Sequence, residues 1–191
     1  CGNSLLSELM YKDGYTNLEN IDYSEVVIEK MPLHCDSCAS MKWHVMDAKN
    51  LLFEDERFDV VIEKATIDAM LVNEKDPWNV SDNAKSLVHA VLTEVSRVLC
   101  RGGRFVSITF AQPHFRGPMY VSQMLDWSLE TFHFGTSFHY YFYLMKKGEK
   151  ADQVAWPTYH LPIIRPRRTS LRTSTSSEPD NSDFLFRIMD S

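Results

Sequence analysis

No hydrophobic run in this sequence approaches the length of a membrane-spanning helix, and no signal peptide opens it. A helix that crosses a bilayer needs about 20 consecutive apolar residues, and a signal peptide needs a charged start before an apolar stretch. The residues therefore predict no membrane partner. Because the sequence begins at Cys1 and its first residues resemble the end of a loop, we expect a fragment that has lost its first strand.

The sequence also has fewer basic than acidic residues. Lys and Arg number 20 against 26 Asp and Glu, so the formal net charge is -6. Domains that bind nucleic acid commonly carry a basic face instead, and we therefore expect no nucleic-acid partner. The acidic balance either attracts a basic partner, such as a lysine-bearing protein, or simply keeps the protein in solution.

Cysteine is scarce, with four residues at Cys1, Cys35, Cys38 and Cys100. Cys35 and Cys38 have the spacing of a metal or redox pair, but no second pair of Cys or His residues completes a zinc site. A redox pair commonly opens a helix after a strand, whereas this pair precedes a predicted strand. We therefore expect no metal, unpaired cysteines and a cytoplasmic location.

The sequence does contain enough apolar residues for one core. Of 191 residues, 44% are hydrophobic and 12% are aromatic, which suits a single domain. Patterns typical of helices and strands alternate along the chain. The predicted helices span 4–13, 24–31, 82–99 and 119–125. The predicted strands span 17–22, 41–46, 58–62, 104–110, 127–134 and 138–146.

This order predicts an α/β fold with a doubly wound, mostly parallel sheet that ends in an antiparallel hairpin. We expect the strand at 58–62 to be buried on both faces, as parallel strands are. The domain should occupy residues 1–148 and be followed by an extension over 149–191. That extension should be largely disordered at 165–183, where Arg, Ser and Thr replace large apolar residues.

Three acidic residues follow the ends of predicted strands: Asp22, Asp47 and Glu63. Singly, each is better explained as a solvated loop residue. The carboxyl ends of parallel strands, however, meet at one edge of the sheet, where such folds bind ligands. Asp22 lies twenty residues after Gly2, about the spacing at which an acid binds ribose hydroxyls in dinucleotide-binding folds. Together the acids predict a nucleoside site.

Several short motifs, taken in order, resemble the class I S-adenosylmethionine-dependent methyltransferases. They are Cys1-Gly2-Asn3-Ser4, Ile21-Asp22-Tyr23-Ser24, Met46-Asp47-Ala48, the run from Phe58 to Lys64, and Val98-Leu99 before Gly102-Gly103-Arg104-Phe105. Further motifs resemble the methyltransferase-like group that acts on lysines of translation elongation factor 1-alpha. They are Glu63-Lys64 with Thr66, Asp68-Ala69, Asp76-Pro77-Trp78, Pro113-His114-Phe115-Arg116, Phe138-His139 and Tyr143-Leu144-Met145.

The resemblance implies that the cofactor is S-adenosyl-L-methionine, and it implies contacts for the adenosine half. Asp22 would hold the ribose hydroxyls, and Tyr23 would pack beside the adenosine. Asp47 would meet the adenine amino group, and Ala48 would offer a backbone contact. Tyr23 has an alternative explanation as an aromatic residue of the core.

The methionine half of the cofactor has its own implied contacts. The Lys64 ammonium would meet the cofactor's carboxylate, and Gly2 would line the loop beneath it. Lys64 has an alternative explanation as one partner of an ion pair with a neighbouring acid. Ala65 stands where the family commonly has Gly, and if its φ angle is positive, alanine is strained by about 1 kcal/mol.

The implied activity is that of a protein-lysine N-methyltransferase that acts on elongation factor 1-alpha. Methyl transfer needs alignment of donor and acceptor and no covalent enzyme intermediate, so the sequence identifies no catalytic base. Glu63 is the candidate for positioning the acceptor, and the loops around Trp78 and at 113–116 are candidates for gripping the substrate. We expect a monomer.

Three alternatives remain open. The first is a methyltransferase that acts on another protein or on a small molecule, since such enzymes share the cofactor motifs. The second is a binding module without activity, because a chain without its first strand is expected to bind little or no cofactor. The third is a nicotinamide-dependent oxidoreductase, which explains Asp22 but neither Asp47 nor the aromatic hairpin.

Overall fold

The computed structural model describes residues 1–34, 38–121, 125–135, 138–149 and 158–160. Across these ranges it has five α-helices and seven strands. The helices are α1 (Leu6–Lys12), α2 (Glu25–Lys30), α3 (Thr66–Met70), α4 (Asp82–Val98) and α5 (Pro113–Tyr120). The strands are β1 (Glu19–Asp22), β2 (Lys42–Val45), β3 (Phe58–Lys64), β4 (Leu99–Thr109), β5 (Glu130–Phe134), β6 (Tyr140–Lys146) and β7 (Thr158–His160).

The strands form two sheets in the described part of the chain. β1 and β2 pair in parallel, with Asp22 opposite Val45. The larger sheet has the order β3-β4-β6-β5-β7, in which β3 runs parallel to β4 while β6 runs antiparallel to both β4 and β5. The predicted fold class, a partly parallel sheet with helices and a closing antiparallel hairpin, is confirmed.

Strand β4 has a core on each of its faces because successive side chains of a strand point in opposite directions. Phe105 belongs to the main cluster, together with Val88 and Leu92 of α4. Val106 belongs to a second cluster, against which Leu6 of α1 packs. The predicted helix at 82–99 is confirmed: α4 begins after Ser81, whose hydroxyl accepts the backbone N–H of Ala84 at 3.2 Å.

The prediction that the strand at 58–62 is buried on both faces is wrong. Every residue of β3 is half-buried or exposed. β3 pairs with β4 along one edge, and among the described residues no strand pairs with its other edge. Solvent therefore reaches β3 from that side.

Helix α5 begins earlier than predicted. The sequence predicts a loop at 113–116 and a helix at 119–125, but α5 starts at Pro113 and ends at Tyr120. Proline suits the first turn of a helix because its missing N–H would have no helical partner there. The short helix α3 and the strand β7 were not predicted. Residues 122–124 and the remainder of the predicted extension beyond Glu149 lie outside the described residues.

A close approach of backbones explains the glycine pair after α4. The predicted strand begins only after this pair, at 104, whereas in the structure α4 ends at Val98 and β4 already runs through Gly102 and Gly103. A Cβ at Gly103 would lie 2.9 Å from the carbonyl oxygen of Cys100 and 3.0 Å from that of Asp59. The glycine therefore permits the register shift between β3 and β4 at this point.

The cysteine and membrane expectations have different outcomes. Cys38 is disulfide-bonded, so the expectation of four unpaired cysteines is wrong, while Cys1 and Cys100 are free thiols. Cys35 lies outside the described residues. In the part of the chain that the structure describes, no helix has the length and apolar character to cross a bilayer. The cytoplasmic location and the monomeric state stay predictions.

Candidate functional site

The carboxyl end of β1 holds Asp22 beside Gly2. The backbone N–H of Gly2 donates to Oδ2 of Asp22 at 2.7 Å, and the N–H of Ser24 donates to Oδ1 at 2.9 Å. Burial by itself raises the pKa of Asp22, but the hydrogen bonds that its carboxylate accepts more than offset it, so the pKa lies below its ordinary value. An ionised carboxylate offers about four acceptor positions, so Asp22 keeps capacity for a ligand's hydroxyls.

Asp47 lies at the same edge, in the loop after β2. The N–H of Met46 donates to the carbonyl oxygen of Asp22 at 2.8 Å, which holds this loop against the end of β1. Oδ1 of Asp47 accepts the N–H of Lys49 at 2.9 Å, and the Asp47 side chain is 51% exposed. Ala48 packs against the main core cluster. The structure thus brings Asp22 and Asp47 to one edge of one sheet.

The remaining predicted cofactor contacts are open to solvent. The Tyr23 side chain is 84% exposed, so the alternative that it belongs to the core is wrong. Lys64 ends β3 as an exposed residue, and no described residue forms an ion pair with its ammonium. Gly2 has a φ of 56° and open space where a Cβ would project. None of the three residues is therefore covered by another described side chain at the place where a ligand would contact it.

Glu63 makes its contacts within the chain. Its Oε2 accepts the backbone N–H of Thr66 at 2.8 Å and that of Ile67 at 3.4 Å, at the start of α3. Its Oε1 accepts the hydroxyl of Ser107, which in turn lies 2.5 Å from the Tyr120 hydroxyl. Burial raises the pKa of Glu63 above its ordinary value, although these hydrogen bonds offset part of the increase. In the structure Glu63 therefore stabilises the start of α3 and its contact with β4. Its predicted role in positioning the acceptor stays a prediction.

Asp68, Thr109 and Arg116 were not identified as site residues from the sequence. The Thr109 hydroxyl lies 2.6 and 2.7 Å from the two carboxylate oxygens of Asp68, and the Arg116 guanidinium forms an ion pair with Oδ1. The Arg116 side chain is 4% exposed, and no described atom accepts a hydrogen bond from its buried Nε. Asp68 and Arg116 both lie in motifs that carried the resemblance, but 48 residues separate them, and no sequence pattern pairs them.

Aromatic side chains from two segments meet beside the first turn of α5. Trp78, from the loop between α3 and α4, is 76% exposed. Its ring stacks on His114 with centroids 5.2 Å apart and meets Phe115 edge-on at 4.6 Å. The two segments predicted to grip substrate therefore lie together. A tryptophan held by two rings is the kind of rigid anchor that dominates protein interfaces.

A cavity of about 600 Å³ opens beside β2 and is not the predicted site. Its lining residues are Glu19, Lys42, Trp43, His44, Val45, Met46, Leu52, Phe53 and Arg57. The Glu19 carboxylate lies 2.6 Å from Arg57, 3.0 Å from His44 and 3.2 Å from Lys42. Because Glu19 begins β1 and Arg57 directly precedes β3, this cluster links the two sheets. No group of His, Cys, Asp and Glu suited to a metal ion occurs among the residues that the structure describes.

The sequence is similar to known methyltransferases. Residues 1–143 match the family model described as a methyltransferase domain. The chain is 42% identical over 188 residues to "EEF1A lysine methyltransferase 4" of Mus musculus, which covers 98% of this chain and 73% of that protein. The protein of the same name from Bos taurus is 40% identical with the same coverage.

Solved structures share the fold. A S-adenosylmethionine-dependent methyltransferase from Methanosarcina mazei superposes with a TM-score of 0.55 at 17% identity, over 78% of this chain and 90% of that one. At this identity the likeness concerns the fold alone.

Proposed function

Because this chain belongs to the methyltransferase domain family, we propose that it uses S-adenosyl-L-methionine to methylate a lysine of translation elongation factor 1-alpha. Support for the substrate comes from the mouse and cattle relatives, whose names state this activity. The observation that carries the cofactor site is the meeting of Asp22 and Asp47 at one sheet edge.

The residues at this edge have the chemical groups that the adenosine half of the cofactor needs. Asp22 has a carboxylate that is held in place by two backbone N–H groups and has remaining acceptor capacity for the ribose hydroxyls. The exposed ring of Tyr23 is suited to pack against the nucleoside. Asp47 offers an accessible carboxylate to the adenine amino group, and Ala48 offers its backbone beside it.

For the methionine half of the cofactor, the proposed contacts are Lys64 at the end of β3 and Gly2 on the first loop. The Lys64 ammonium has no ion-pair partner among the described residues and is available to a carboxylate. Gly2 leaves open space on the first loop, where a side chain would occupy room that a ligand could use. The bound cofactor supplies a sulfonium-activated methyl group, and the protein supplies its placement.

The protein's own task is alignment and removal of water. A lysine amine has a reference pKa of about 10.4 and must lose a proton before it can attack. Burial of the acceptor in a closed site favours the neutral amine. The alignment of a nucleophile with its target can contribute about 7–11 kcal/mol to lowering a barrier, without any covalent enzyme intermediate.

A protein substrate agrees with the surface of the chain. The net charge of -6 favours approach of a lysine-rich surface. Trp78, fixed against His114 and Phe115, provides an exposed apolar contact for a protein partner. A small-molecule substrate gives no reason for an exposed tryptophan at this position.

A methyl-transfer assay with purified elongation factor 1-alpha tests the proposal. The full-length protein is incubated with a labelled methyl donor, and the modified residue is located by mass spectrometry. We expect label on a lysine, loss of labelling for Asp22→Asn, and normal labelling for Glu29→Gln, an exposed carboxylate on α2. Absence of lysine labelling by an enzyme that binds the donor would reject the substrate, and equal labelling by Asp22→Asn would reject the cofactor site.

A further inference from the structure

An acceptor lysine needs a polar contact near the transferred methyl group. The reactive amine is neutral, with N–H donors and one lone pair, and a contact on an N–H leaves the lone pair free to attack. Glu63, the residue that the sequence suggested, already accepts hydrogen bonds from Thr66, Ile67 and Ser107. These contacts hold both carboxylate oxygens inside the chain, where burial raises the pKa of Glu63 and limits the access of an incoming amine.

Asp68 lies at the same edge and remains partly accessible. It stands in α3, which begins directly after β3, and the Thr109 hydroxyl at the end of β4 holds its carboxylate. β3 and β4 are adjacent parallel strands, so the contact spans two carboxyl ends, where sheets of this type bind ligands. The Asp68 side chain is 26% exposed, which leaves part of its carboxylate open to an incoming group.

Arg116 holds this carboxylate from the other side. Its side chain is 4% exposed and pairs with Asp68, yet its buried Nε has no acceptor among the described residues. A buried guanidinium with an unsatisfied N–H is unfavourable. The ion pair with Asp68 is therefore the contact that compensates for the burial of Arg116.

The pairing has a consequence for the amine. An isolated carboxylate would favour the ammonium form of a nearby lysine, which has no lone pair to attack with. A carboxylate that is neutralised by a guanidinium still accepts a hydrogen bond, but it attracts the lysine proton less strongly. The Asp68–Arg116 pair is therefore suited to hold the neutral, reactive amine.

We propose that Asp68 contacts the acceptor amine, and that Thr109 and Arg116 are positioning residues that fix its carboxylate. The inference rests on the proposed lysine methyltransferase function. In the transfer, the nitrogen lone pair forms the new N–C bond as the S–C bond breaks, and the electrons of that bond stay on sulfur. The surplus proton of the methylated nitrogen passes to water, so Asp68 accepts a hydrogen bond and takes up no proton.

The test compares Asp68→Asn with Glu94→Gln in the full-length protein. Glu94 is a matched control because it also pairs with an arginine, Arg97, and accepts one further hydrogen bond, from the N–H of Leu51 at 2.8 Å. Its side chain is 18% exposed, close to the exposure of Asp68. For each variant, kcat, the KM for elongation factor 1-alpha, the cofactor Kd and the melting temperature are measured.

We expect kcat to fall by about 100-fold in Asp68→Asn, as for a misplaced reacting group, with an unchanged cofactor Kd. Glu94→Gln should keep the wild-type kcat and lose similar thermal stability. The inference is overturned if kcat is equal in the two variants, or if cofactor affinity falls in parallel with kcat. A wild-type enzyme that methylates no lysine would instead reject the proposed function itself, so the two failures are distinguishable.

Substitutions of Thr109 keep the test decisive if Asp68→Asn fails to fold. Thr109→Val keeps the shape of the side chain but removes the hydroxyl that holds Asp68, and Thr109→Ser keeps the hydroxyl. We expect a lower kcat in the valine variant, with unchanged cofactor affinity, and a kcat near that of wild type in the serine variant. Equal kcat values in these two variants would overturn the positioning role.

Discussion

The backbone N–H of Gly2 lies 2.7 Å from the carboxylate of Asp22, twenty residues away in the sequence. This hydrogen bond fixes the first loop against the end of β1. A second bond, from the N–H of Met46 to the carbonyl oxygen of Asp22, fixes the loop that carries Asp47. Three segments of the proposed cofactor site are therefore held together by Asp22, and a site held in this way loses less freedom when its ligand binds.

Truncation of the exposed tryptophan should affect substrate binding and leave the chemistry intact. We expect Trp78→Ala to raise the KM for elongation factor 1-alpha by about tenfold, as loss of an interface anchor does, with little change in kcat. Leu52→Ala removes a side chain that is equally exposed, at 77% against 76%, and serves as the control in the same steady-state assay. A KM for Trp78→Ala equal to that of the control would exclude this surface from substrate binding.

Relief of backbone strain at Ala65 should stabilise the protein. Its φ of 61° is left-handed, which is unfavourable for alanine by about 1–2 kcal/mol and free of strain for glycine. Since glycine also makes the unfolded chain more flexible, we expect Ala65→Gly to gain about 0.5 kcal/mol in chemical denaturation. The comparison variant is Ala90→Gly, inside α4, whose free energy of unfolding should fall by about 1 kcal/mol. A loss in both variants would contradict the strain at Ala65.

The contact between the two sheets should make stability depend on pH. Burial would raise the pKa of Glu19, but Arg57, Lys42 and His44 more than offset it, so the pKa lies below its ordinary value of about 4.5. The stability that this cluster contributes is present above pH 4.5 and is lost as the pH falls through the lower folded value. It should amount to about 1 kcal/mol, because Arg57 and Lys42 are partly exposed and solvent screens them.

Denaturation curves of wild type and Arg57→Met, recorded across this acidic range, measure that contribution. The variant should be less stable than wild type at neutral pH, and the difference should shrink as the pH falls. Lys85→Met, which breaks a pair with the fully exposed Asp82, is the control. Its stability should change with pH in the same way as that of wild type. A pH-independent difference for Arg57→Met would contradict the role of Glu19.

Glu63→Gln separates the two candidate acceptor contacts. Its carboxylate accepts backbone N–H groups of α3 and the Ser107 hydroxyl, so we expect a loss of about 1–2 kcal/mol in unfolding free energy. If Asp68 contacts the acceptor, the folded variant should keep turnover near the wild-type value. A large fall in kcat at unchanged stability would restore Glu63 as the positioning residue.

The sequence was sufficient for the residues whose positions follow from strand ends. Asp22 ends one short strand and Asp47 closely follows another, and parallel pairing of these strands places their ends at one edge. The long helix α4 was equally clear, because its apolar face repeats over several turns. These features depend on local patterns and on a general rule of sheet topology.

The remainder depended on contacts between distant segments. Asp68 meets Arg116 across 48 residues, and Trp78 meets His114, which lies in the first turn of α5. The start of α5 at Pro113 lies in a segment for which the sequence predicts a loop, because proline is typical of loops as well as of first helical turns. The half-buried state of β3 depends on which strand lies at its edge, and no local pattern reports that.

Calorimetry of the full-length protein with S-adenosyl-L-methionine tests the central claim, that Asp22 and Asp47 bind one adenosine. We predict that Asp22→Asn and Asp47→Asn each weaken binding by about tenfold or more, as loss of a hydrogen bond to a charged group does, while Glu29→Gln binds like wild type. Wild-type affinity in both aspartate variants would contradict the account.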